Sequence, residues 1–281
     1  RSTLFPYTTL FRSWLTRVKF DALLARALAL GFDAVATGHY ARLTGGAASG
    51  RPGQTSGLTL SRAADAAKDQ SYVLAVSGRA GLSRALFPLG EAPSKAAVRA
   101  EAAGRGLPVA SKPDSYDICF VADGDTRGFL ARSLGVREGA MVSPDGEVLG
   151  THSGYFGFTV GQRRGLGLTR PAPDGRPRYV IETRPATNEV VVGPEELLRR
   201  SALDADGLVL LAEPDGGGWE DVAVQVRAHG RPVPADVVVD RGAGTLHADL
   251  RQPLRGLAAG QSVVVYGGDG GRRVLAQATI A

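Results

Sequence analysis

The chain has 281 residues, of which 43% are hydrophobic, and this excludes a disordered or fibrous protein and predicts two or three domains. No run of about 18 apolar residues is present, so the sequence predicts neither a membrane-spanning helix nor a membrane partner. A single cysteine excludes an internal disulfide and a cysteine-cluster zinc site. With no recognisable secretory signal, this composition indicates a cytoplasmic protein.

The net charge of +5 is unevenly distributed, because residues 1–200 carry +8 and residues 201–281 carry −3. A polyanion would be attracted to the first two thirds of the chain. The same arginine excess also follows from a GC-rich coding sequence, so the charge alone does not distinguish a nucleic-acid partner from a compositional bias.

The first elements predict an α/β domain. Residues 1–13 have neither a helical nor an alternating period, and we interpret them as a non-native leader; a disordered native leader is the alternative. Apolar residues at helical spacing predict a helix from Phe20 to Leu30 that ends at Gly31. Residues 32–37 then predict a short buried strand, and ligands gather at the carboxyl ends of such strands.

The following elements are short. Residues 58–62 predict a strand, and helical segments between Gln70 and Leu86 are expected to break at Gly78 and Gly81. Ser94 is predicted to cap a helix that runs to about Ala103.

From about Met141 the pattern indicates β-structure. Residues 143–146 predict a turn, and residues 179–183 and 189–192 predict a hairpin. Alternating apolar residues between 222 and 280 predict several strands with Gly- and Pro-rich turns, which is typical of a small antiparallel barrel.

Four stretches carry residues suited to chemistry, and each has a structural alternative. Cys119 could be a thiolate nucleophile or a buried small hydrophobe. Lys68-Asp69-Gln70-Ser71-Tyr72 could contact RNA or begin a solvated helix. Gly38-His39 could approach a ligand closely or form an ordinary loop. Gln162-Arg163-Arg164-Gly165-Leu166-Gly167 could bind phosphate or form a charged turn. The four histidines show no metal-ligand spacing: His39, His152, His229 and His247.

In this order, the motifs resemble those of the bacterial tRNA-specific 2-thiouridylases (the MnmA/TrmU family). The resemblance covers nearly everything after Lys19. It is carried by ATGHYAR (36–42), KDQSY (68–72), DSYDICF (114–120), TVGQRRGLG (159–167) and AAGQSVVVY (258–266).

The resemblance implies an α/β-plus-β fold. Residues 14–122 would be the C-terminal part of a Rossmann-like ATP-pyrophosphatase domain (the PP-loop or HUP type). A small, mostly β central domain would occupy residues 123–200, and an antiparallel β-barrel residues 201–281.

The resemblance also implies the chemistry. In this family, ATP, with Mg²⁺, activates the C2 oxygen of the wobble uridine in tRNA, and sulfur from a cysteine persulfide gives 2-thiouridine. The implied partners are tRNA, not DNA, and a persulfide donor or relay protein. Cys119 matches the persulfide-bearing cysteine and Gly38 a glycine that lies against ATP. The positions that match tRNA contacts are His39, Lys68, Asp69, Gln70, Arg227, Ala228 and Gln261. The family has Arg-Tyr where this chain has Arg227-Ala228, so Arg227 is the firmer match.

Two family features are missing from the sequence. There is no SGG-x-DS phosphate loop, and Trp14 stands where the family has a second catalytic cysteine. We therefore expect this polypeptide, as written, to lack thiolation activity, and ATP-dependent formation of 2-thiouridine by the chain alone would contradict this. The alternatives are a non-catalytic tRNA-binding protein and, less consistent with DSYDICF, an amidating ligase of the ATP-pyrophosphatase class.

Overall fold

The structure is a computed structural model that describes residues 22–112, 125–168 and 174–281. Cys119, Trp14 and the leader lie outside the described residues, and so the predictions for them stay predictions. The described residues form two compact units. Of the described residues, the large unit holds 22–112, 202–252 and 261–281, and the central unit holds 125–168, 174–201 and 253–260. In the described ranges, no helix is both long enough and apolar enough to cross a membrane.

The elements before the first gap are short helices and strands. They are α1 (Leu23–Ala29), β1 (Val35–Ala36), β2 (Arg42–Thr44), β3 (Thr59–Ser61), α2 (Ser71–Leu74), α3 (Gly78–Leu82), β4 (Ala85–Leu86) and α4 (Lys95–Gly104). The strands β1 and β4 form a two-stranded parallel sheet, which is the α/β feature that the sequence predicts.

Two helix boundaries that the sequence predicts in this part are confirmed. Gly31 follows α1 with φ at +85°, a left-handed conformation that glycine adopts without strain. The hydroxyl of Ser94 accepts a hydrogen bond from the Ala97 amide at 3.1 Å and caps α4. The predicted break at Gly81 is wrong, because this residue lies inside α3; the break occurs at Gly78, where φ is +62°.

The remaining elements are mostly strands. They are α5 (Thr126–Leu134), β5 (Gly139–Val142), β6 (Val148–His152), β7 (Tyr179–Arg184), β8 (Glu189–Gly193), β9 (Arg199–Leu210), β10 (Gly218–Gln225), β11 (Val233–Asp240), β12 (Thr245–Arg255), β13 (Ser262–Gly267) and β14 (Arg273–Ile280).

The central unit contains a four-stranded sheet in the order β6-β5-β8-β7. The predicted hairpin is confirmed as the antiparallel pair β7–β8, whereas β5 and β8 pair in parallel. Its core is built from apolar side chains of these strands and of the loop that precedes β7, including Met141, Val160, Leu166, Val180 and Val190.

The barrel prediction is confirmed in the large unit. Six strands follow one another in the order β13-β10-β11-β12-β9-β14, and pairing of β13 with β14 closes the barrel. Two strands from the α/β part extend this sheet, because β3 pairs with β14 and β2 pairs with β3. The Arg62 amide continues the junction with a 3.0 Å hydrogen bond to the Arg272 carbonyl.

A single apolar core joins the α/β part to the barrel. The cluster contains fully buried residues from both, among them Leu58, Leu60 and Leu74 on one side and Val264 and Tyr266 on the other. By the usual ~25 cal/mol per Å² of buried apolar surface, each such leucine stabilises the unit by about 2 kcal/mol. The segments around β3 and α2 are therefore held on the barrel by hydrophobic burial.

Candidate RNA interface

The loop Thr37–Tyr40 lies at the carboxyl end of β1. The amides of Val35 and Thr37 are held by the carbonyls of Arg84 and Leu86, each at 2.9 Å. Gly38 is exposed, and of the residues that the structure describes, a Cβ built there would have only a Leu89 methyl within 4 Å, at 3.8 Å. The space over Gly38 is open, as a ligand lying against its backbone requires.

His39, the next residue, is buried. Its Nδ1 shares a 2.8 Å hydrogen bond with the hydroxyl of Thr37, and its ring packs edge-on against Phe87 with 5.8 Å between the ring centroids. The imidazole is thus oriented by protein groups, and its contact with tRNA stays a prediction.

Gln70 connects this loop to the Lys68–Gln70 triplet. The side-chain oxygen of Gln70 accepts a hydrogen bond from the Tyr40 amide at 2.9 Å, and the Gln70 amide donates to the Tyr40 carbonyl at 2.8 Å. The two motifs are 30 residues apart in sequence, but these reciprocal bonds fix one against the other.

Asp69 is the centre of a hydrogen-bond network. Its side chain is only 6% exposed and accepts from the amides of Ala63 and Ser71, at 2.9 and 3.2 Å. The Ser71 hydroxyl donates to it at 2.8 Å, and Arg62 forms an ion pair with it at 3.2 Å. The carboxylate therefore organises this segment, and its proposed contact with tRNA remains untested.

Arg62 connects the triplet to the barrel. One guanidinium nitrogen bonds Asp69, and another donates to the side-chain oxygen of Gln225 at 2.7 Å. The side-chain nitrogen Nε2 of Gln225 then donates to the backbone carbonyls of Arg227 and Ala228, at 2.8 and 3.1 Å. The two predicted tRNA-contact segments, 68–70 and 227–228, are thus held by one chain of hydrogen bonds.

Tyr266 supports this bridge from the barrel core. The guanidinium of Arg62 lies over its ring, 3.6 Å from the centroid, which is a cation–π contact. Because the Ser71 proton is given to Asp69, the Tyr266 hydroxyl is the donor in its 3.1 Å hydrogen bond to Ser71. Burial raises the pKa of Tyr266 to about 12, which keeps this donor proton in place.

A cavity of about 240 Å³ lies beside the bridge. Its lining includes Arg62, Asp69, Gln225, Ala228 and His229. One residue of each predicted segment, Asp69 and Ala228, thus lies on this cavity, whereas Lys68, Gln70 and Arg227 are not in its lining.

Other predicted residues lie elsewhere. Gln261 precedes β13, and its carbonyl accepts the Ile280 amide at 2.8 Å; it does not line the cavity, although the neighbouring Ser262 carbonyl accepts the Tyr72 hydroxyl at 2.9 Å. Gly38 and His39 are also absent from the lining, and Cys119 lies outside the described residues.

Comparisons with known proteins agree over residues 15 to 280. Family models match at residues 15–123 (tRNA methyl transferase HUP domain), 127–194 (tRNA methyl transferase PRC-barrel domain) and 200–280 (aminomethyltransferase beta-barrel domain). The tRNA-specific 2-thiouridylase MnmA of Beutenbergia cavernae is 61% identical, over 94% of this chain and 67% of its own length. The MnmA proteins of Kineococcus radiotolerans and Salinispora tropica are 58% and 57% identical, each over 94% of this chain and 70% of their own length. The chain belongs to the tRNA-specific 2-thiouridylase MnmA family.

Membership of the MnmA family does not by itself reveal the bridge residues. Sequence analysis missed Arg62, Gln225, Tyr266 and His229 as parts of the site. Arg62 and Gln225 are 163 residues apart, and nothing in either local pattern indicates the other. They are brought together by successive strand pairings, of β3 with β14, β14 with β13 and β13 with β10.

Proposed function

We propose that this MnmA-family chain binds tRNA and carries sulfur in the conversion of the wobble uridine to 2-thiouridine. The single observation that carries the tRNA-binding part is the Arg62–Gln225 bridge, which connects segment 68–70 to segment 227–228 and lines one cavity together with Asp69 and Ala228. Membership of a sulfurtransferase family supports the reaction class. The comparisons do not favour the alternative of a non-catalytic tRNA-binding protein.

The proposed roles follow from residue chemistry. Lys68 and Arg227 are cations suited to RNA phosphates, and Gln70 and Gln261 offer amides that can bond sugar or phosphate. Asp69 positions the triplet, and His39 contacts tRNA from the loop after β1. Cys119 carries the persulfide, whose terminal sulfur is the nucleophile. A persulfide donor or relay protein supplies this sulfur.

ATP is the co-substrate that the HUP family implies, and it supplies the adenylyl group that makes the uridine C2 oxygen a leaving group. The open space over Gly38 fits a nucleotide lying against that backbone. The SGG-x-DS motif that the resemblance associates with the ATP phosphates is not found among the described residues.

The wider assignments are part of the same proposal. We place the protein in the cytoplasm, where its tRNA substrate is found. We also propose the division into a leader (1–13), a partial ATP-pyrophosphatase domain (14–122), a central domain (123–200) and a barrel (201–281).

Arg227→Ala tests the tRNA-binding part. We expect weaker tRNA binding, and a slope of log affinity against log salt that is smaller by about 1, because one phosphate contact is lost. The measurement is a binding titration with a tRNA transcript at several salt concentrations.

Arg51→Ala is the matched control, because Arg51 is an exposed cation of the same unit that lies outside the segments predicted to contact tRNA. It should leave the slope nearly unchanged. Equal slopes for the two variants would contradict the assignment of Arg227.

A further inference from the structure

The loop Gln162–Gly167 in the central unit has no role in the function proposed above. Hydrogen bonds within the loop and with β7 fix its conformation. The Gln162 side chain accepts from the Thr159 amide at 3.1 Å and donates to the Arg164 carbonyl at 2.9 Å. The Gly161 amide donates to the carbonyl of the fully buried Val180 at 2.8 Å, and the Val180 amide donates to the Gln162 carbonyl at 2.9 Å.

This fixed loop presents two adjacent cations. Arg163 and Arg164 are exposed, and within the described residues their guanidinium groups form no hydrogen bond or ion pair. Five other arginines of the same unit are each paired with a carboxylate, namely Arg132, Arg176, Arg178, Arg184 and Arg255. Among the described residues no ion pair is found for Arg137, Arg199 and Arg200. Each of the two loop arginines thus has five N–H donors available for an anion. A phosphate group can accept two parallel hydrogen bonds from one guanidinium group.

A cavity of about 350 Å³ adjoins the loop. Gly165 and Gly167 form part of its wall, both with positive φ, at +70° and +67°, so the backbone turn there suits glycine. Aromatic rings form another part, with Phe156 and Phe158 in the lining. Aromatic faces beside cations are what unstacked RNA bases bind.

His152 is a buried polar side chain in the lining of this cavity. It lies 5.2 Å from Phe158 between ring centroids. Its Nδ1 accepts the Gly154 amide at 3.0 Å, so the neutral ring carries its proton on Nε2. That buried Nε2 has no partner of good hydrogen-bond geometry among the described residues. Burial lowers the pKa of His152, against a weaker opposing influence of the Ala140 backbone, which favours this neutral form.

We propose that the Gln162–Gly167 loop and its cavity form a second RNA-binding subsite. Arg163 and Arg164 bind backbone phosphates, and the cavity accepts one unstacked base between its aromatic walls. The inference rests on the proposed tRNA-binding function, but it concerns a different unit from the bridge at Arg62.

The test is the double variant Arg163→Ala/Arg164→Ala in the full chain. We expect weaker tRNA binding and a salt slope smaller by about 1.4 to 1.8, the value for two lost phosphate contacts. The matched control is Arg199→Ala/Arg200→Ala, which removes another adjacent, exposed arginine pair from the same unit and changes the net charge equally. Thermal unfolding of both variants confirms that they are folded.

The outcomes separate the inference from the proposed function. If the parent chain binds tRNA and both double variants have its salt slope, the subsite is excluded and the function stands. If the parent chain binds no tRNA, both fall. A third outcome is that ATP at millimolar concentration binds without tRNA, that this binding is lost in Arg163→Ala/Arg164→Ala, and that the affinity for tRNA is unchanged. The ligand is then a free nucleotide, and the RNA subsite is overturned.

A second variant tests the base cavity independently of charge. Phe156→Leu keeps an apolar side chain but removes the stacking face. We expect tRNA affinity to fall at least about fivefold, the loss typical of one stacked base, while affinity for a fully double-stranded RNA stays the same. Equal losses for both RNAs, or no loss for either, would exclude an unstacked base in this cavity.

Discussion

Asp69 and His39 show how a residue in a binding motif can also be part of the protein's own scaffold. Both are matched to tRNA contacts by family resemblance, and both side chains are largely buried among hydrogen-bond partners within the chain. The residue type and position were predictable from sequence. Their burial was not, because it depends on Arg62 and Phe87, which no local pattern connects to them.

His247 offers a pH-dependent interaction on the barrel surface. Its Nδ1 lies 2.7 Å from Asp204, and its Nε2 lies 3.4 Å from Asp249. The hydrogen bond with Asp204, with a smaller contribution from Asp249, raises the pKa of His247 above its usual value. The folded state therefore binds the proton more tightly than the unfolded state.

We expect His247→Gln to lower the melting temperature of the protein more at about pH 5.5 than at about pH 9. The stabilisation is fully present below the unfolded-state pKa of about 6.5 and is lost as the pH rises through the raised pKa of the folded state. Differential scanning calorimetry at both pH values measures this. His229→Gln is the control, because no ion pair is found for that histidine in the part of the chain the structure describes. An equal loss at both pH values would exclude the protonated pair.

Among the elements, boundaries were predictable where a local signal specifies them. Ser94 begins α4, Gly31 ends α1, and the turn before β8 separates two alternating strands, as the sequence indicates. The attachment of β2 and β3 to the barrel was not predictable, because strand pairing over a long sequence separation depends on tertiary packing. The same holds for the candidate site. The sequence predicts its two segments, 68–70 and 227–228, but not the Arg62–Gln225 bridge that joins them.

Arg62→Lys tests whether the bridge positions the tRNA-binding segments. Lysine keeps the positive charge but cannot bond Asp69 and Gln225 through a planar fork. We expect tRNA affinity to fall while the salt slope stays the same, because the phosphate contacts remain but must be ordered during binding. Salt-dependent titrations of folded protein measure both quantities.

Arg79→Lys is the matched control for this substitution. The Arg79 guanidinium also forms two hydrogen bonds, to the Thr55 carbonyl at 3.2 and 2.6 Å, but Arg79 does not line the cavity. It should leave tRNA affinity unchanged. An unaltered affinity in Arg62→Lys would show that the bridge is structural only.

The elements of the large unit differ in how much apolar side-chain surface they bury. The helix α1 has no buried residue, and large apolar side chains around it are exposed, such as Leu30 at 60% and Phe32 at 61%. In contrast, Leu58, Leu60 and Leu74 share the core of the barrel. Sequence analysis divides the chain at residue 201, but the hydrophobic core does not follow that division.

Native-state hydrogen exchange should resolve this difference. We expect the amides of α1 to exchange fastest, because few buried apolar contacts hold that helix in place. Amides of β3 and α2 should be protected nearly as well as those of β13 and β14, with which they share a core. Uniform protection from residue 22 to residue 112 would contradict this pattern.

The pairing of β3 with β14 also sets an order of events during protein synthesis. Ser61 pairs with Arg273, and so its partner strand is translated roughly 200 residues later. At about 5–20 residues per second, the ribosome takes about 10 to 40 s to reach it. During that interval the edge of β3 and the apolar faces of Leu58 and Leu60 lack their barrel partners. The nascent chain therefore exposes an unpaired strand edge and apolar side chains until β14 has been translated. Such surfaces are prone to aggregation and are bound by chaperones.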